Sequence, residues 1–193
     1  MAGHARYTAL LDACVLYPIA ICDALMSVAA TGIFAAKWTQ RIDDEWTRNL
    51  EGQRKRPPGT FDFRRDQMRA VCPDWEVPQQ AWAPLESCIV LPDPSDRHVL
   101  AAAIAGHADC IVTANLKDFP PDILHPLGID AVHPDAFLVS QLDLAPFIVL
   151  PAFKGMRARL KDPEFTPAAF ADAMERNGLV ETAQYLRQAL ELI

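Results

Sequence analysis

The sequence predicts a three-layer α/β/α fold, in which a central parallel sheet has helices on both faces and a helical extension follows. Two observations predict the sheet: short apolar runs that suit buried strands, and helical stretches that alternate with them over some 130 residues. A third observation predicts the extension, because prolines become frequent after about residue 143. The predicted strands are 7–11, 88–91, 110–113 and 128–132.

The predicted helices follow from apolar spacing and from residues that start or stop helices. The first begins at Pro18 and ends at Gly32. A second covers about 39–53, before Pro57-Pro58-Gly59 breaks it. Its apolar residues are spaced by four and form one stripe: Trp38, Ile42, Trp46 and Leu50. Further helices are expected near 61–71 and 78–85, from Asp93-Pro94 to Gly106, and over 134–142.

The C-terminal part differs in character from the rest. Pro146, Pro151, Pro163 and Pro167 are expected to punctuate short helical pieces, and 166–193 is predicted to form two helices that break at Gly178. We therefore expect two parts: an α/β domain over 1–142 and a C-terminal helical extension over 143–193.

Charge is unevenly distributed. The net charge of −7 argues against a protein that coats nucleic acid by bulk attraction. Nine of the 18 Lys and Arg nevertheless lie in 37–69 beside six acids, so this stretch carries +3 and the remainder −10. A local basic surface on an acidic body suits contact with a few phosphates, and a solvated helical face explains it equally well.

Five scattered cysteines without a C-x-x-C pair are typical of small core residues in a reducing compartment. The five histidines show no metal-ligand spacing. We find neither a leader peptide pattern nor an apolar run long enough to span a membrane. The sequence therefore predicts a soluble, cytoplasmic protein.

Three carboxylates are candidates for chemistry, and each also has a structural explanation. Asp12 follows the first strand and could be a turn or cap residue, although the apolar residues after it favour a functional role. Glu45 borders the apolar stripe and could pair with Arg41 or Arg48. Asp96 could complete a capping box with Asp93.

Polar residues after the strand at 110–113 add to this set. Thr113, Asn115 and Asp118 could make local turns, or they could lie beside Asp12 at the neighbouring strand end. Several carboxylates in one cleft repel each other and need a hard cation such as Mg²⁺ or Mn²⁺. Such a site can activate water for attack on a phosphate.

Three motifs carry a resemblance to PIN domains, especially those of bacterial toxin–antitoxin operons (VapC-type toxins). The stretch LDACVLYP at 11–18 resembles the opening motif of the family. LPDPSDRHVLAAA at 91–103 resembles its third-acid motif, and IVTANLKDFP at 111–120 resembles its final motif. The match covers about 7–142 with the motifs in order, and the tail resembles that of some VapC-like toxins.

The resemblance implies a Mg²⁺- or Mn²⁺-dependent endoribonuclease domain over 1–142, with RNA as substrate. Asp12, Glu45 and Asp96 would bind the metal, and Thr113 would support the site. Asn115 stands where many relatives have a fourth acid, so Asp118 would supply the missing charge and a single tightly held ion is favoured. A cognate antitoxin lying over the acidic site and a homodimer are also implied.

The basic clusters 54–56 and 64–65 are candidate RNA contacts, and Arg97 is either a surface residue or a phosphate contact. Other functions stay open at this point. A haloacid-dehalogenase-like phosphatase would need an acid where Cys14 stands, and a receiver domain would need paired early acids. A degenerate PIN module that binds RNA or a partner without cleavage is the alternative that Asn115 favours.

Overall fold

The structure is a computed structural model that describes residues 6–193, so the first five residues of the predicted α/β domain lie outside it. The described chain forms four strands, β1 (Thr8–Leu11), β2 (Ala35–Lys37), β3 (Cys110–Val112) and β4 (Asp130–Val132). Its helices are α1 (Ala13–Leu16), α2 (Ile19–Ala29), α3 (Gln40–Arg54), α4 (Asp62–Val71), α5 (Gln79–Glu86), α6 (Arg97–Ala105), α7 (Pro121–Leu124), α8 (Pro134–Leu144), α9 (Pro146–Arg159), α10 (Pro167–Arg176) and α11 (Val180–Gln188). Single 3₁₀ turns form at Pro94–Asp96, Leu116–Asp118 and His125–Leu127.

The strands form one parallel sheet in the order β2-β1-β3-β4. β1 and β3 lie at its centre, and their apolar residues are almost fully buried. Helix α6 packs on β1 and β3, α2 packs on β2, and α7 packs on β4. The predicted α/β/α fold with a parallel sheet is confirmed.

The predicted helical stripe is also confirmed. Trp38, Ile42, Trp46 and Leu50 are all buried, and α3 packs against α1 through this face. Thr39 caps α3, because its hydroxyl accepts a hydrogen bond from the Ile42 N–H (3.1 Å). The helices predicted near 61–71, 78–85 and 134–142 are observed as α4, α5 and α8.

Two strand predictions are wrong. The run 88–91 is irregular rather than a strand: Leu91 is buried, but Val90 is 74% exposed and the segment has no strand beside it. β2 was not predicted, because three residues of sequence Ala-Ala-Lys carry almost no strand signal of their own. Its pairing with β1 at the edge of the sheet holds it extended.

The helix predicted from Pro18 is preceded by a further one-turn helix, α1, which the sequence analysis did not predict. The C-terminal part also contains a longer helix than expected. α9 continues through Pro151 instead of breaking there. A proline inside a helix removes the hydrogen bond to the carbonyl four residues earlier, here that of Phe147. Phe147 is highly exposed, so water can reach that part of the helix.

The C-terminal helices pack on the domain that contains the sheet. α9 lies against α2, and α11 lies against α8. The Asp135 carboxylate of α8 accepts hydrogen bonds from the Glu181 and Thr182 N–H groups at the start of α11 (2.8 and 2.9 Å). Arg159 at the end of α9 pairs with Asp23 of α2 at 2.6 Å. None of the helices in residues 6–193 has the length and apolar character that a membrane crossing requires.

Candidate active site

Asp12 and Thr113 meet where the two central strands end. β2 lies on one side of β1, and β3 lies on the other. A crevice forms at the carboxyl ends of these strands, and side chains can reach it. Asp12 is only 5% exposed. Its Oδ2 accepts hydrogen bonds from the Thr113 hydroxyl (2.7 Å) and from the Cys14 thiol (3.1 Å). The predicted meeting of Asp12 and Thr113 is therefore seen in the structure.

The surroundings of Asp12 disfavour its charged form. Burial raises the pKa of this carboxyl, the hydrogen bonds from Cys14 and Thr113 lower it in part, and the nearby charge of Glu45 raises it again. Asp12 occupies the position before α1, but its side chain makes no capping hydrogen bond. Helix capping therefore does not explain why an acid stands here.

Asp93, not Asp96, caps the turn that leads into α6. Its Oδ1 accepts from the Ser95 N–H (2.8 Å) and from the Ser95 hydroxyl (2.7 Å). The Asp96 side chain makes no capping hydrogen bond, although Asp96 precedes α6 directly. The capping explanation therefore accounts for Asp93 and leaves the Asp96 carboxylate for another role.

Asp96 lies in the field of several other acids. Its pKa is raised to about 6, first by burial and then by the charges of Asp12, Asp93, Asp118 and Glu45. Mutual repulsion of this kind requires that the carboxylates be close in space. The charges of Asp12, Glu45, Asp93 and Asp118 therefore all reach Asp96, and we call Asp12, Glu45, Asp96 and Asp118 the acidic cluster.

Glu45 projects from α3 and is partly exposed. Neither of the two predicted arginine partners holds it. Arg41 instead donates to both carboxylate oxygens of Glu86 (2.8 and 3.1 Å). Glu45 instead lies beside the imidazole of His98, with 3.5 Å between Oε2 of Glu45 and Nε2 of His98. The salt-bridge explanation from the sequence is therefore not observed.

The loop after β3 places Asn115 and Asp118 at the edge of the cluster. The Asn115 N–H donates to the Thr113 hydroxyl oxygen (3.0 Å), and Asn115 itself is exposed. Asp118 is half-buried, and its charge reaches Asp96. Both residues therefore lie where they can contact a substrate or its water.

Two residues at the site were missed by the sequence analysis. Cys14 bridges Asp12 and the loop after β3, since its sulfur also accepts from the Ala114 N–H (3.2 Å). Its pKa is raised to about 12 by burial and by Asp12, so this thiol is a poor nucleophile. His98 is the second. Its place two residues after Asp96 was the available signal, but contact with Glu45 depends on how α3 and α6 pack.

The arginines of α4 are engaged inside the protein. Arg64 donates to the Tyr17 carbonyl (3.3 Å) and stacks on Trp46, with 4.8 Å between the guanidinium carbon and the ring centre. Arg65 pairs with Asp62 at 2.8 Å. The cluster 64–65 is therefore a weaker candidate for RNA contact than 54–56, whose three residues are exposed.

The side chains at the site are the oxygen donors that a hard divalent cation prefers. As they stand, no three His, Cys, Asp or Glu side chains in residues 6–193 are arranged to hold one ion together. Burial, and for Asp96 also the charges of neighbouring acids, raises the pKa of Asp12 and Asp96, so a bound cation would stabilise their charged forms. The donor set therefore fits such an ion in its chemistry.

Comparison with known families identifies the fold. The family model of the PIN domain matches residues 8–117, which is more than half of the chain. The chain belongs to the PIN-domain family. This membership removes the phosphatase and receiver alternatives. A second family model, that of the VapC50 C-terminal domain, matches residues 134–188.

A curated relative from Mycobacterium tuberculosis carries the name "Putative ribonuclease VapC50" and is 51% identical over 79 residues. The match covers 41% of this chain and 47% of the relative, so it spans about half of the relative's length. No solved structure matches the chain. The predicted division between 142 and 143 is tested by none of these matches and stays a prediction.

Proposed function

We propose that this chain is a divalent-metal-dependent endoribonuclease and the toxin of a toxin–antitoxin pair. The observation that carries the proposal is the acidic cluster at the ends of β1 and β3, in which burial first and then the charges of neighbouring carboxylates raise the pKa of Asp96 to about 6. PIN-family membership and the name of the M. tuberculosis relative support ribonuclease chemistry in particular.

In the proposed site Asp12, Glu45 and Asp96 hold Mg²⁺ or Mn²⁺. When bound, the ion lowers the pKa of a water and offsets charge on the phosphate. Thr113 and Cys14 fix the direction of Asp12 through their hydrogen bonds to Oδ2. Asn115 and Asp118 orient the attacking water from the loop after β3. The exposed residues Arg54, Lys55 and Arg56 contact the RNA backbone.

The antitoxin, one segment of which would lie over the acidic site, would also bind an apolar groove between α2 and α4 with a volume of about 540 Å³. Ile19 and Phe63 line it and are highly exposed (66% and 77%). We expect Phe63→Asp to abolish binding of the protein encoded beside this chain in its operon. Phe147→Asp changes a phenylalanine that is also highly exposed (88%) but lies outside the groove, and it should leave that binding intact. Equal binding by both variants would place the antitoxin elsewhere.

A cytoplasmic homodimer completes the proposal, and light scattering of the purified chain measures its mass.

The deciding experiment for the function is cleavage of a mixed RNA pool by inhibitor-free protein, with Mg²⁺ or Mn²⁺ and with chelator, beside Asp12→Asn. Metal-dependent cutting that vanishes in the variant supports the nuclease and reveals its sequence preference. Absence of cutting by folded, inhibitor-free protein favours the degenerate PIN module that binds without cleavage.

A further inference from the structure

The imidazole of His98 is held in one protonation pattern by its surroundings. The ring is 3% exposed, and its Nδ1 lies 2.7 Å from the backbone carbonyl oxygen of Ser95. A carbonyl oxygen can only accept a hydrogen bond, so Nδ1 carries the proton. In the neutral ring, Nε2 then presents a lone pair and no hydrogen.

That lone pair is directed at a carboxylate. Nε2 has no hydrogen-bond partner, and it lies 3.5 Å from Oε2 of Glu45. Two acceptors that face each other in this way need a proton or a metal ion between them. Ligand atoms about 2.1 Å from one ion, at angles between right and tetrahedral, lie about 3.0–3.4 Å apart. The observed separation is close to this range.

The other contacts of Arg41 and His98 are compatible with a metal ligand at Nε2. Arg41, four residues before Glu45, is held by Glu86 and does not compete for Glu45. The Trp82 ring packs near His98, with 6.3 Å between ring centres, and limits rotation of the imidazole. A histidine that binds a metal commonly donates its other N–H to a backbone carbonyl, as His98 does to Ser95.

We propose that His98 binds the metal ion of the active site through Nε2, together with Glu45, and that this nitrogen makes the site prefer Mn²⁺ over Mg²⁺. Imidazole is a ligand of transition metals, whereas Mg²⁺ prefers oxygen ligands and keeps its waters. Mn²⁺ is a transition metal that also suits carboxylate ligands, so it can take both Glu45 and His98. The inference rests on the proposed metal-dependent function, which it deepens by naming the ion.

The test measures metal binding without RNA. Mn²⁺ and Mg²⁺ are titrated separately into the inhibitor-free full chain by calorimetry, and the Mn²⁺-bound protein is examined by pulsed EPR for coupling to a nitrogen nucleus. We expect nitrogen coupling in the wild type and its loss in His98→Gln. The Kd for Mn²⁺ should rise by at least about tenfold in that variant, with a much smaller change for Mg²⁺.

His125→Gln is the matched control, because His125 is exposed and its recorded neighbour is Asp130 (3.3 Å). It should leave both metal affinities and the nitrogen coupling unchanged. Absence of Mn²⁺ binding, or bound Mn²⁺ without nitrogen coupling in the wild type, overturns the inference and leaves a protonated His98 beside Glu45. The wild-type spectrum needs no variant, so misfolding of His98→Gln cannot obscure it. RNA cleavage is scored separately: metal binding with nitrogen coupling but without cleavage would refute only the nuclease.

Discussion

At the scale of single residues, two acids of the site, Asp12 and Asp96, lie where their charge is unfavourable. Asp12 is buried at the end of β1 with two hydrogen-bond donors. Asp96 lies in the field of its neighbours and has no capping bond of its own. Burial and repulsion of this kind cost stability in the absence of a cation. Such an arrangement is expected at a site whose function requires it.

Removing the charge of Asp12 should affect RNA cleavage and protein stability differently. We expect Asp12→Asn to abolish RNA cleavage while the thermal midpoint of the metal-free protein stays the same or rises, because one repelling charge is removed. Cleavage rates and thermal melts measure the two effects. Asp44→Asn is the control, since Asp44 is exposed and accepts from Gln40 on the same helix. A large loss of stability in Asp12→Asn would show that its charge is needed for folding instead.

Asp96 makes the stability of the metal-free protein depend on pH. Its pKa rises from 3.8 to about 6 on folding, so between these values the folded state binds more protons than the unfolded state. Its contribution to stability is fully present below 3.8 and is lost as the pH rises through about 6. We expect Asp96→Asn to flatten this fall in thermal melts at several pH values. If the melting temperature of the variant falls with pH as steeply as that of the wild type, Asp96 is not the group that causes this fall.

At the scale of elements, the sequence predicted the features that follow from apolar periodicity and from the positions of strand ends. Apolar residues at every fourth position predicted α3, and the parallel topology predicted that Asp12 and Thr113 lie close together. β2 escaped prediction because its three residues are held extended by pairing with β1. The run 88–91 has strand-like residues but no strand beside it. The contact of Glu45 with His98 depends on the packing of α3 against α6, for which the sequence has no periodic signal.

One buried carboxylate joins the start of the last helix to α8. Asp135 of α8 accepts two backbone N–H groups at the start of α11, and it is almost completely buried. We expect Asp135→Ala to lower the free energy of unfolding by about 1–3 kcal/mol, because two buried donors lose their acceptor. Denaturant titration measures the change.

Asp172→Ala serves as the comparison for Asp135→Ala. Asp172 pairs with Arg187 at an exposed position, so its removal should cost less than about 1 kcal/mol. Equal effects of the two substitutions would mean that the bonds from Asp135 do not hold α11 in place.

At the scale of the whole molecule, most of the chain repels RNA and one stretch attracts it. The net charge is −7, yet 37–69 is positive. Within that stretch Arg69 is bound to the buried Asp43 (2.7 Å), and Arg64 stacks on Trp46. Among the exposed basic residues of this stretch, Arg54, Lys55 and Arg56 lie side by side at the C-terminal end of the helix that carries Glu45.

RNA binding should therefore depend on the end of α3 and not on total charge. In the Asp12→Asn background, which prevents cleavage, we expect Ala at 54, 55 and 56 to weaken binding of a single-stranded RNA. The slope of log affinity against log salt should become shallower by about 2, since three phosphate contacts to a single strand are lost. The control replaces three exposed basic residues of the C-terminal helices and their connecting loop, Lys154, Lys161 and Arg176, with Ala, which changes the net charge equally. If both triple variants bind alike, net charge alone governs the affinity and the RNA does not pass along α3.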